Sequence, residues 1–216
     1  MTEKAYFSIL SGAVAETKKI PPGKMGQIPE IIRDSFSRVN RHLPREKELE
    51  FEIIRMDEFL ARSETPRFAL HAALMVCSYF RYHSYHELGI RADLRISMGI
   101  GPVEFQQKDI RESDGTAYRL AAAGMEQMKR NQRLVIHSTD ENLNSELAVA
   151  TGFMDILIHD WSDEQAEALY YSLTGMNQVD ISKRLDISQP AVNRRLKAAH
   201  WDATERFIKR YEHLLK

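Results

Sequence analysis

Two short helical stretches joined by a tight turn, spanning Gln178 to Lys197, constrain this chain more than any other feature of its 216 residues. Ile181 and Leu185 lie one turn apart and share a face of the first stretch. Val192 and Leu196 do the same in the second, which runs from Gln189 to about His200. Asp186-Ile187-Ser188 forms the turn, with Ile187 placed to plug the angle between the helices. Ser188 is a good N-cap, and Pro190 suits the first turn of the helix it opens. The outer side of that helix then carries Gln189, Asn193, Arg194 and Lys197, with Arg195 nearby. A DNA major groove asks for these residue types: Arg for guanine, Asn or Gln for adenine, Lys for phosphate. Five basic residues stand against Asp180 and Asp186 in this segment, a local +3 on a chain of formal net charge -1. A whole-chain basic field is absent, so nucleic-acid contact has to come from this patch. A helix from Asp163 to Leu173 precedes the motif, with Gly175 past its end, and a final helix to Lys216 braces it.

The residues before Trp161 read differently. Strands are expected over Ala5–Leu10, Glu48–Ile54, Phe59–Arg62, Leu94–Ile100, Arg133–His137 and Phe153–Ile158. Helices are expected over Met25–Leu43, from Pro66 to about His83, from Ala117 to Met128, and from Glu141 to about Thr151. Arg55 to Glu58 is the turn of a hairpin. This order gives an α+β domain, a ferredoxin-like split β-α-β-β-α-β arrangement with helices on one face of an antiparallel sheet. His159-Asp160 reads as a linker to an all-α helix-turn-helix domain, so the expected division is 1–160 and 161–216, with the first part folding alone.

Hydrophobic residues at 43% and charged residues at 28% exclude wholesale disorder. The single Cys77 can form neither an internal disulfide nor a cysteine-rich zinc site, and reads as a buried thiol. Met1-Thr2-Glu3-Lys4 has no apolar run behind it, and no stretch approaches the roughly 20 apolar residues of a membrane span. A cytoplasmic protein is expected. His83-x-x-His86 among Tyr79, Tyr82 and Tyr85 lacks a third metal ligand and reads as an exposed helix end. Gly99 and Gly101 lack the third glycine and the helix start of a dinucleotide fingerprint.

The C-terminal segment resembles the helix-turn-helix of sigma-like and LuxR-like bacterial regulators, with Asp186 where their turn commonly has Gly and Ser182 where they have Ala. Asp tolerates left-handed backbone angles better than most residues. Phe7 to Gly12, Ile54 to Phe59, Ile96 to Gly101 and Ser113 to Ala121 together resemble the SatD-like family, itself similar to class III nucleotidyl cyclase domains. That resemblance implies two metal-binding carboxylates, one ending the first strand and one in the hairpin, because Mg²⁺ must bridge the triphosphate and activate a hydroxyl. Here the first position is Ala13, while Asp57 stands at the second, preceded by Met56; Glu16 is a conceivable substitute. The family's Asn and Arg on the later helix are represented by Arg119 and Ala123. The resemblance therefore implies a cyclase-like fold without its metal pair or its transition-state pair.

The leading expectation is a bacterial DNA-binding transcriptional regulator. Ser188, Gln189, Asn193, Arg194, Arg195 and Lys197 contact double-stranded DNA. The first domain makes a homodimer or senses a nucleotide-like effector, with Asp57, Asp114 and Arg119 as ligand contacts. No catalytic residue, metal or cofactor is expected. The alternatives are a divergent cyclase or nucleotidyl transferase with a regulatory tail, and a protein-interaction module.

Overall fold

The computed structural model describes residues 6–215. Ala5, the expected start of the first strand, and Lys216, the expected end of the last helix, lie outside them. Five strands form one sheet in the order β2-β3-β1-β4-β5. They are β1 (Tyr6–Val14), β2 (Glu50–Arg55), β3 (Glu58–Ser63), β4 (Leu94–Pro102) and β5 (Leu134–Ser138). The first four are antiparallel, and β5 runs parallel to β4. This is the expected split β-α-β arrangement with one strand added at its edge.

The helices are α1 (Ile28–His42), α2 (Pro66–Leu88), α3 (Thr116–Gln127), α4 (Glu141–Asp160), α5 (Asp163–Leu173), α6 (Gln178–Leu185), α7 (Gln189–Ala198) and α8 (Trp201–Leu214). Ile28, Ile31, Ile32, Phe36 and Val39 bury one face of α1. Leu10 and Val14 of β1, with Leu94, Ile96, Met98 and Ile100 of β4, join them in the main core. The alternate residues face the other way, because successive strand side chains point to opposite faces. There Ile9 meets Ala117 and Ala121 of α3. The sheet thus has helices on both faces rather than one: the parallel β4-α3-β5 crossover carries α3 to the far side. Gly99 permits it, since a Cβ there would come within 2.1 Å of the Ala117 carbonyl oxygen.

The expected strand Phe153–Ile158 is the second half of α4, and His159-Asp160 is the last turn of that helix rather than a linker. Asp140 caps α4 by accepting from the Asn142 and Leu143 amides. Leu147, Thr151, Met154 and Ile158 are its buried residues, at helical spacing. Phe153 and Ile156, inside the expected strand, are 66% and 58% exposed. α2 also runs beyond the expected His83, to a left-handed Gly89 (φ 72°).

Among the described residues the main core does not stop at Asp160. Trp161, Leu169, Tyr170, Leu173, Ile208 and Tyr211 belong to the same cluster as the sheet and α2. The Tyr211 hydroxyl donates to the Pro66 carbonyl, 2.9 Å away. Arg81, buried on α2, donates to the carbonyls of Ile158, His159 and Trp161, and pairs with Asp93. It anchors the end of α4 to the start of the helical tail. Among the described residues, no helix is long and apolar enough to cross a membrane.

Candidate nucleic-acid interface

The tail builds its own small core. Ala168, Ile181, Val192 and Leu196 are buried together, with Leu185 and Ile187 packed against them. Every apolar residue expected to join the two short helices is present. α5 begins with a capping box, in which the Ser162 hydroxyl accepts from the Gln165 amide and the Gln165 side chain accepts from the Ser162 amide. Asn177 caps α6. Asp186 takes the left-handed conformation (φ 52°), and its amide and that of Ile187 both return to the Ser182 carbonyl. That reverses the chain sharply enough for α7 to cross α6. Ser188 caps α7, accepting from the Ala191 amide at 3.4 Å. Trp161 closes the far end of α7, its indole N–H donating to the Ala199 carbonyl at 3.1 Å.

Ser188, Gln189, Arg194 and Lys197 are exposed, and Asn193 is half-buried. The structure brings these five onto one helix and its cap. Arg195 is placed differently: its guanidinium turns back to the Glu167 carboxylate on α5, at 3.4 Å, and its side chain is 27% exposed. It ties α7 to α5 and is not presented outward with the other four exposed residues. Burial raises the pKa of the Glu167 carboxyl against the opposing pull of Tyr82 and Arg195. Lys183 and Arg184 of α6 are exposed and add positive charge beside α7.

The three candidate ligand contacts do not form one site. Asp57 sits at the hairpin tip, where its carbonyl accepts from the Val14 amide at the end of β1. Asp114 and Arg119 lie at the other end of the sheet, since α3 begins beside Gly101, which pairs with Phe7. Arg119 is held by Asp114 at 3.0 Å and Glu104 at 3.7 Å. Two carboxylates neutralise it, so it offers no free cation to an anionic ligand.

The metal positions implied by the cyclase resemblance do meet in space. Ala13 pairs with Glu58 across β1 and β3, next to Asp57. The Ala13 methyl cannot ligate, and Glu16 is engaged with Lys19 at 2.7 Å and Arg130 at 3.6 Å. Among the described residues, no group of three or more His, Cys, Asp or Glu side chains could hold a metal ion. The residues present do not fit the paired-metal site. Cys77 is buried as expected, which pushes its thiol pKa up to about 12.

Sequence reasoning missed the junction between sheet and tail. His83 is not part of an exposed helix end: it is half-buried and stacks on Tyr79 at 4.0 Å between ring centres. Tyr79 donates to Asp34 and packs edge-on against Tyr170. The signal in the sequence was the run of Tyr and His on α2, but their partners lie on α1 and α5, far away along the chain.

No family model matches the chain. No curated protein matches it either. Among solved structures it is similar to the guanylyl cyclase Cya2, at 13% identity and a TM-score of 0.48, over 68% of this chain and 79% of that one. It is also similar to adenylate cyclases from Trypanosoma brucei in their monomeric state, at 12% identity and a TM-score of 0.45, over 63% and 75%. A third is the adenylyl cyclase CyaB from P. aeruginosa, at 12% identity and a TM-score of 0.38, over 62% and 77%. All three are nucleotidyl cyclases, matched over about two thirds of this chain. At such identities the likeness carries nothing about chemistry.

Proposed function

We propose that this chain is a DNA-binding regulator whose sheet domain, residues 1–160, lacks cyclase activity and whose tail, residues 161–216, reads DNA through α7. The observation that supports this is the α6–α7 pair: a left-handed turn at Asp186, a closed apolar core, and a helix whose outward residues are Gln189, Arg194 and Lys197. Such a helix presents its first turns to base edges while flanking cations meet phosphates. One short helix reads few base pairs, so two copies on two half-sites are part of the proposal.

A second reading, a divergent nucleotidyl cyclase with a regulatory tail, has its own observation. The end of β1 and the hairpin meet where two metal carboxylates would stand, and Asp57 keeps one of them. Against it stands Ala13.

Two assays on the full chain separate the readings: fluorescence anisotropy with duplex DNA, including fragments flanking its own gene, and Mg²⁺-dependent turnover of ATP or GTP. The first reading predicts salt-sensitive DNA binding and no turnover. Turnover that disappears in Asp57→Ala, without DNA binding, would establish the second.

A further inference from the structure

A cavity of about 270 Å³ lies where α1 and α2 meet α5 and α6. Its walls are aromatic. Tyr79, Tyr82, Tyr170 and Tyr171 line it, with ring centres 5.0 Å apart for Tyr79 and Tyr170 and 5.3 Å for Tyr170 and Tyr171. Cations guard it from two sides, Arg38 on α1 and Arg184 on α6. Arg38 is partly neutralised by Asp34, at 3.4 Å. Arg184 makes no ion pair among the described residues; it stands 5.7 Å from the centre of the Tyr171 ring, with its Nε 3.4 Å from the Tyr171 hydroxyl. The acidic groups facing the cavity are already engaged. Asp34 accepts from Tyr79, and Glu167 pairs with Arg195.

One polar atom of a residue lining this cavity is unexplained by the rest of the molecule. Tyr170 is 4% exposed, and its hydroxyl has no hydrogen-bond partner among the described residues. Buried hydroxyls are nearly always paired, and leaving one unpaired is costly. Burial, with the charges of Arg184, Arg41 and Arg38, lowers the pKa of the His42 imidazole, which favours a neutral ring on the same wall.

We propose that this cavity binds a small organic anion with a flat ring. The tyrosines enclose the ring, Arg184 and Arg38 hold its phosphate or carboxylate, and the Tyr170 hydroxyl donates to one of its oxygens. Guanidinium forks suit both anions, and aromatic walls suit a flat ring. The volume falls just below the roughly 300–1,000 Å³ of most ligand pockets, which limits the ligand to no more than about the size of a mononucleotide. Glu167 lines the same cavity and holds Arg195 of α7, so occupancy bears on how α7 is seated. That last consequence rests on the DNA-binding reading; the binding site does not.

Isothermal titration calorimetry on the full chain tests it. The ring-bearing anions are AMP, GMP and salicylate, the first two carrying phosphate and the third carboxylate. Adenosine and inorganic phosphate supply the ring and the anion separately. At least one ring-bearing anion should bind saturably, and neither half should match it. Arg184→Gln should weaken that binding at least tenfold. Tyr170→Phe should also weaken it while the protein stays folded, since it removes only an unpartnered hydroxyl. Binding by none of the three anions would overturn the proposal, as would affinity unchanged in both variants or equal affinity for one half alone. Anisotropy with DNA, with and without the bound anion, is a separate arm. If it shows no DNA binding, the DNA reading fails while the calorimetric result stands.

Discussion

At the scale of single residues, the tail depends on a few positions with distinct tasks. Asp186 holds a left-handed backbone angle that costs a side-chain-bearing residue about 1 kcal/mol. Asp186→Gly should therefore stabilise the protein by several tenths of a kcal/mol, and Asp186→Val should destabilise it by about 1–2 kcal/mol, both read from urea unfolding. The turn was legible because Asp stands where similar motifs have Gly. Arg195 was not legible, because its partner Glu167 lies a whole motif upstream and only the packing of α7 on α5 brings them together. The histidines give a pH dependence. His42, His83 and His137 are all held below the ordinary 6.5, chiefly by burial. The unfolded chain then binds more protons than the folded one just below that value, so their contribution is present above pH 6.5 and lost as pH falls through the lower folded values. Thermal unfolding at pH 7.5 and pH 5.5 should show this loss, and His42→Gln should make it smaller.

At the scale of elements, periodicity identified α1, α3, α6 and α7 closely, because each has a single buried face. It failed on α4, where two patterns compete. Phe153 to Ile158 is apolar at every position but Asp155, as a buried strand would be, while Leu147, Thr151, Met154 and Ile158 follow the helical spacing that the structure uses. The exposed apolar Val149, Phe153 and Ile156 confuse any reading that assumes apolar residues are buried. Gly152 tests the outcome. It lies in the middle of α4, and a Cβ there would meet nothing within 4 Å. Gly152→Ala should stabilise the protein by about 1 kcal/mol, as expected at an open helical position; no gain, or a loss, in chemical denaturation would count against a continuous α4.

At the scale of the whole molecule, the split β-α-β order was readable because hairpins and crossovers follow local rules. The joining of sheet and tail was not, because it rests on contacts distant in sequence: Arg81 with Trp161, Tyr211 with Pro66, Tyr79 with Tyr170. A chain ending at Asp160 would expose the face of α2 that α5 and α8 cover. This fragment should bind a hydrophobic dye and lose a sharp unfolding transition, in contrast to the independent folding expected from the sequence. Tyr211→Ala in the full chain should cost about 3–5 kcal/mol, since this ring is fully buried in the shared core. Sheet and tail would then report on one another.

In the proposed function α7 meets DNA with its outward side while Arg195 serves the fold. The most direct measurement is DNA affinity across a salt series for wild type, Arg194→Ala and Arg195→Ala, with thermal stability recorded for each. Affinity should fall steeply with salt. Arg194→Ala should weaken binding at least tenfold at unchanged stability, corresponding to about 1–3 kcal/mol for a lost groove contact. Arg195→Ala should lower stability by about 1 kcal/mol, with a smaller effect on affinity. Absence of binding at low salt, or Arg194→Ala indistinguishable from wild type, would contradict the account.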